Sequence, residues 1–247
     1  MKYIDKPNLP DSDVVCVIAD CDMSNKAIYT LNMYGIDVID TTATNDTDIY
    51  ISKHADISII HLGYNNFVCE PDSYDYYAEK LHNSNICTGK RLYNKYPGDI
   101  AYNAAIFGKA IVCKESAIDD KILLFAENNN YNIINTAQGY SKCNICIIDE
   151  NAIITSDINI CKAAGNFGVD VLLVDDNAVL LNGYNHGFFG GASGKISKDK
   201  LAVNGDIKFH KNADEIIQFA KKYDVEIISL CNDYISDIGS ILPVFEK

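Results

Sequence analysis

At 247 residues, with 48% hydrophobic and 22% charged residues, the chain has the composition of an ordinary globular protein able to bury one good core. At a formal net charge of −13 no nucleic-acid partner is expected, since contacts to a phosphate backbone need clustered Lys and Arg. No window approaches the roughly 18 consecutive apolar residues of a membrane helix, and Met1-Lys2-Tyr3-Ile4-Asp5-Lys6-Pro7 lacks the apolar run of a signal peptide. The nine cysteines therefore read as reduced thiols of a cytoplasmic protein.

The first elements are an apolar strand at Val14-Val15-Cys16-Val17-Ile18, a helix from Ser24 and a strand at Ile36-Asp37-Val38-Ile39. From Asp56 a pattern begins that then repeats. Asp56-Ile57-Ser58-Ile59-Ile60, Asp99-Ile100-Ala101-Tyr102, Cys143-Asn144-Ile145-Cys146-Ile147-Ile148 and Gly187-Phe188-Phe189-Gly190 each open a unit, at a spacing of roughly 43–44 residues. Every opening strand is followed by a turn, a second short strand, a helix and a third strand. The helices are expected from Asp72-Ser73, from a Ser116 cap, from Ser156-Asp157 and from Asn212 with Glu215 in a capping box. The third strands include Asn132-Ile133-Ile134, the apolar run from Val169 to Val174, and Val225-Glu226-Ile227-Ile228.

The ends complement each other. The N-terminal unit lacks its first strand, and Ile238-Gly239-Ser240-Ile241-Leu242-Pro243 is a strand with no helix after it. Pairing of the two would close a ring of five ββαβ units and remove exposed sheet edges. A doubly wound α/β sheet is the rival, but it does not account for the paired short strands before each helix.

A ring of ββαβ units resembles the pentein fold, the α/β-propeller of guanidino-group-modifying enzymes, and implies a single domain over residues 1–247. Tyr96-Pro97-Gly98-Asp99-Ile100-Ala101-Tyr102-Asn103 is similar to the unit of dimethylarginine dimethylaminohydrolases whose aspartate holds the guanidinium, with Asp99 at that position. Gly183-Tyr184-Asn185-His186 resembles the Gly-x-x-His segment that carries the family's catalytic histidine. The segment from Val225 to Pro243 resembles the one that carries its nucleophilic cysteine. Two positions depart: Leu242 or Pro243 stands where the cysteine belongs, and Lys142-Cys143 stands near the place of the acidic partner of the histidine. The resemblance thus implies an amidinohydrolase or deiminase relative, a hydrolase of C–N bonds if active, or a catalytically degenerate one. The other class is a non-catalytic binding or assembly protein on the same fold.

The candidate site residues follow from repeat position and chemistry. Asp56 and Asp99 fall at the same point of their repeats and suit a planar cation through charge-assisted hydrogen bonds, unless each caps a backbone N–H of its own hairpin. Asn103 would add a polar contact from the same strand face. His186, among glycines that allow close approach, is the candidate acid/base or else a structural histidine. Cys231, at the end of the last apolar strand, is the first choice for a displaced nucleophile, against a buried inert thiol. Cys143 and Cys146, three apart in an expected strand, read as core packing. His54 and Asp56 could form a metal pair but lack further ligands at suitable spacing, so no metal and no cofactor are expected. A small cationic ligand is the partner these residues imply; the oligomeric state is left open.

Overall fold

The computed structural model describes residues 1–247 apart from the side chain of Asp176. Its first elements are β1 (Lys2–Tyr3), β2 (Val14–Ala19), α1 (Asn25–Met33) and β3 (Asp37–Asp40). The next unit holds α2 (Ala55–Ser58), β4 (Ile59–Gly63), β5 (Asn66–Cys69), α3 (Tyr74–Lys80) and β6 (Asn85–Thr88). Then come β7 (Ala105–Phe107), β8 (Ala110–Cys113), α4 (Asp120–Asn128) and β9 (Asn132–Asn135). The following unit is α5 (Ser141–Asn144), β10 (Cys146–Asp149), β11 (Ala152–Thr155), α6 (Ile158–Asn166) and β12 (Asp170–Leu173). The chain ends with β13 (Ser193–Ser197), β14 (Lys200–Val203), α7 (Ala213–Lys222), β15 (Glu226–Ser229) and β16 (Leu242–Glu246).

In each unit the first strand runs antiparallel to the second, and the helix returns the chain to a third strand parallel to the second. The strand order gives five small sheets. The fifth is built from both ends of the chain: β16 pairs antiparallel with β2, Leu242 opposite Ile18, and β2 pairs parallel with β3. Expected pairing of the C-terminal strand with the N-terminal one is met, and β1 adds to the other side of β16. The first strands lie side by side, β7 by β10, β10 by β13 and β13 by β16, around a common centre. This is the five-unit pentein ring.

Residue chemistry accounts for the repeat. The second strands are central in their sheets and buried on both faces, so Phe67-Val68-Cys69 and Ile111-Val112-Cys113 read as continuous apolar runs. Four helices each bury one apolar pair four residues apart: Ala27 and Leu31, Ile122 and Ala126, Ile160 and Ala164, Ile216 and Ala220. That spacing places a narrow stripe against the sheet and leaves the rest polar. Caps follow the sequence only in part: Asn212 precedes α7 but its side chain accepts nothing from the first turn, so the expected capping box with Glu215 is not made. Ser24 and Asp157 accept from their first turns as expected, but α4 is capped by Asp119, whose carboxylate receives Lys121 N at 2.8 Å, rather than by Ser116. No described helix is long and apolar enough to cross a membrane.

The first strands correct the expected boundaries. Each begins later than the apolar pattern suggests, at Ile59, Ala105, Cys146, Ser193 and Leu242. The residues before them form short helices or turns at the ring's centre. A four-residue helix such as α2 or α5 is too short to leave a 3.6-residue period, so its apolar residues merge with those of the strand that follows.

Candidate functional site

The inner turns place one residue of each unit near the axis: Asp56, Asn103, Cys143, Gly190 and Ser240, each two or three positions before its first strand. The repeat partner of Asp56 is thus Asn103, and Asp99 lies one turn further out, in a turn rather than on a strand face with Asn103. Two glycines let these turns converge. A Cβ on Gly239 (φ +65°) would stand 2.1 Å from His54 Cβ, and one on Gly191 would stand 2.0 Å from Asp237 Oδ1. Ser240 itself holds a positive φ of 75°, a conformation that costs energy in a residue with a side chain.

A buried hydrogen-bond network joins four units. Asp56 accepts from Cys143 Sγ at 3.1 Å through Oδ1 and from Ser240 Oγ at 2.6 Å through Oδ2. Lys142 Nζ donates to Ser240 Oγ at 2.9 Å. Asn103 Oδ1 accepts from the backbone N–H of Lys142 (2.7 Å) and of Cys143 (3.3 Å), while its Nδ2 donates to Asp56 O and Cys143 Sγ, both at 3.1 Å. Burial, then Asp56 and Asp237, push the Cys143 thiol well above its ordinary 9.0. Burial lowers Lys142 against the pull of Asp56. Burial also raises Asp237; His54 opposes the rise and Asp56 adds to it.

Above this network lies a cavity of about 280 Å³. Cys143, His54 and Asp237 line it on the side of the network, and Tyr140, Tyr184 and His186 contribute polar groups among apolar walls that include Ile57 and Phe188. Asp237 is fixed by backbone donors, Phe188 N to Oδ2 at 2.9 Å and Gly239 N to Oδ1 at 3.0 Å. Asp99 stands behind Tyr140, whose hydroxyl donates to Asp99 Oδ2 at 2.5 Å. Burial, then Asp99, raise the Tyr140 phenol. Asp99 Oδ1 is buried with no hydrogen-bond partner.

The structure thus groups the residues singled out from sequence unevenly. Asp56 and Asn103 belong to the central network, with their polar atoms engaged there. His186 lines the cavity, its Nδ1 3.1 Å from its neighbour's carbonyl, Gly187 O, and among the described residues it makes no hydrogen bond to Cys143. Asp99 sits one tyrosine away from the cavity. Cys231 is half-buried beyond β15 and is not among the residues that line the cavity. Cys143 stands there instead, in α5 rather than in the expected strand.

Sequence reasoning missed Cys143, Lys142, Asp237 and Ser240 as site residues. The repeat held the signal: Asn103 follows Asp56 by 47 residues, Cys143 follows Asn103 by 40, and Ser240 follows Gly190 by 50. Aligning the units on the turn before each strand brings these positions into register; aligning them on the start of the apolar run does not.

A family of unknown function (DUF6873) matches residues 18–242. No curated protein matches the sequence. Among solved structures the fold is similar to a substrate-bound agmatine deiminase variant of C. Jejuni, at TM-score 0.57 and 10% identity over 99% of this chain and 96% of that one. It is similar to an amidinotransferase from Microseira wollei in the saxitoxin biosynthetic pathway, at TM-score 0.55 and 10% identity over 92% of each chain. It is also similar to a DDAH mutant from Pseudomonas aeruginosa complexed with citrulline, at TM-score 0.52 and 6% identity over 94% of this chain and 100% of that one. At such identities the likeness carries the fold.

Proposed function

The chain belongs to the family of unknown function DUF6873, and from that premise we propose that it binds a small amidinium or guanidinium compound in the central cavity and cleaves a C–N bond with Cys143 as the attacking thiol. The observation that carries this reading is a cysteine on the cavity wall whose sulfur donates to a buried carboxylate, Asp56, at 3.1 Å. A planar cation is the ligand that suits the surrounding charge: Asp237 lines the cavity, and Asp99 keeps one oxygen unpartnered behind Tyr140.

The chemistry needs a nucleophile and a proton path. As Cys143 Sγ bonds to the amidinium carbon, its proton passes to Asp56. The tetrahedral carbon then expels the amine, which leaves with a proton, and water cleaves the remaining C–S bond. We assign the leaving-group proton to His186, which lines the cavity. Asn103, with both amide atoms engaged, holds Cys143 and Asp56 in position rather than touching substrate. Cys231 has no part in this scheme.

One observation favours the second reading, a non-catalytic binding protein. Burial first, then Asp56 and Asp237, raises the Cys143 thiol well above 9.0, which disfavours the thiolate that attack on carbon needs. Incubation with chloroacetamidine, followed by peptide mapping, separates the two. An adduct at Cys143 that is lost in Asp56→Asn supports thiol chemistry. Labelling confined to Cys231 or the exposed Cys21 overturns it, and thermal stabilisation by guanidino compounds without any adduct leaves binding alone.

A further inference from the structure

The imidazole of His54 is 3% exposed, lines the central cavity and makes no hydrogen bond among the described residues. With neither nitrogen engaged, the ring is free to offer one to a ligand in the cavity. Its nearest charged neighbour is Asp237, with Oδ1 3.9 Å from His54 Nδ1, beyond hydrogen-bond range. Two other potential donors face the same point. One ligand atom each from His54, Asp56 and Cys143 lies within 4.8 Å of the others, and all three residues are buried.

We infer that the central cavity carries a transition-metal site, with His54, Asp56 and Cys143 as ligands to one ion of the zinc type and a further coordination position open to the cavity.

The donor set selects the metal class. Imidazole nitrogen with cysteine sulfur suits zinc and its neighbours and does not suit magnesium or calcium, which take oxygen ligands. Ligand bonds of roughly 2.0–2.3 Å require only small inward movements from donors already this close. Cys143 Sγ and Asp56 Oδ1, at 3.1 Å, are nearly at the separation of two ligands on one ion. Asp237 stands where a carboxylate would steady the ring of His54.

Charge points the same way. Asp56 and Asp237 both stand buried at this centre, so two carboxyl groups can answer the charge of a divalent ion there. Binding replaces the thiol proton: the S–H bond breaks, the sulfur bonds to the metal, and one proton leaves to solvent. Three protein ligands with an open position form the arrangement of a reactive rather than a closed structural site. A small donor molecule in the cavity can take that position. The sequence could not show this, because His54 and Asp56 come from one unit and Cys143 from another.

The inference does not depend on the amidinium reading, and it has a consequence for it. A thiolate bound to metal cannot attack carbon, so the loaded protein should resist the amidine adduct. The test uses the full chain, stripped with a chelator and titrated with Co²⁺ or Zn²⁺ alone. One equivalent should bind with proton release, and cobalt should give a thiolate charge-transfer absorption. His54→Gln and Cys143→Ser should each weaken binding at least about tenfold, whereas Cys231→Ser should not. X-ray absorption on the zinc-loaded wild type, which needs no variant, should show one sulfur among nitrogen and oxygen ligands. No uptake, several sulfur ligands, or undiminished affinity in both folded variants overturns the site. The metal titration reads independently of whether chloroacetamidine reacts.

Discussion

Asn103 is fully buried and makes four hydrogen bonds through one side-chain amide, two of them to the backbone that carries Lys142 and Cys143. Its type was legible in the sequence as a polar group near the axis, but its task was not, because a contact list between turns 40 and 47 residues apart has no local pattern. The same holds for Asp56, whose partners Ser240 and Cys143 come from other units. Asn103→Ala should therefore destabilise the protein by about 3 kcal/mol, since it leaves buried N–H and C=O groups unpaired. Denaturant midpoints at constant m-value would check it. A loss under about 0.5 kcal/mol would mean that water replaces the amide, and Asn103 would not be what holds the thiol in place.

At the scale of elements, the expected strands, helices and their order were legible because the second strands are uniformly apolar and the helices carry one apolar pair per two turns. What was not legible is the short turn before each first strand. In Ala55–Ser58 and Ser141–Asn144 the chain makes a single helical turn, and its residues read as the beginning of a strand. That shift moved Asp99 into the repeat position of Asp56 and hid Cys143. The glycines from Gly187 to Gly191 were legible as points of close approach, and Gly35, just past the end of α1, separates the two parts of what replacing a central glycine costs. Gly35 has φ +76° with nothing within 4 Å of an added Cβ, so Gly35→Ala reports backbone strain alone, about 1 kcal/mol. Gly239 has a similar φ of +65° but meets His54 at 2.1 Å, so Gly239→Ala should cost about 3 kcal/mol or more and displace His54 from the cavity. Thermal melts of the pair would measure the difference. Equal losses would show that the turn at Gly239 relaxes freely and does not position the ring of His54.

For the whole molecule, closure was legible in the sequence because one end lacked a strand and the other had one to spare. The structure places β16 between β1 and β2, so the ring's integrity rests on a sheet made from both termini. A titratable group lies in its interior. His61, on β4, stacks on Phe67 with centroids 4.3 Å apart and bonds through Nε2 to Tyr64 O at 2.6 Å, while its Nδ1 is buried without a partner. Burial lowers its pKa from 6.5 to about 4, although the carbonyls of Tyr64 and Pro243 pull the other way. The unfolded chain therefore binds a proton that the folded chain refuses throughout that window. Stability from this source is complete above pH 6.5 and falls as pH drops toward about 4, by about 3 kcal/mol. His210, also lowered chiefly by burial, adds a loss of the same sign. Urea midpoints at pH 7.5 and pH 5 should thus differ in the wild type, and His61→Gln, which keeps a donor for Tyr64 O but does not titrate, should remove the larger share of the difference. If the variant loses as much stability as the wild type over this interval, the acid sensitivity lies elsewhere and His61 is not its source.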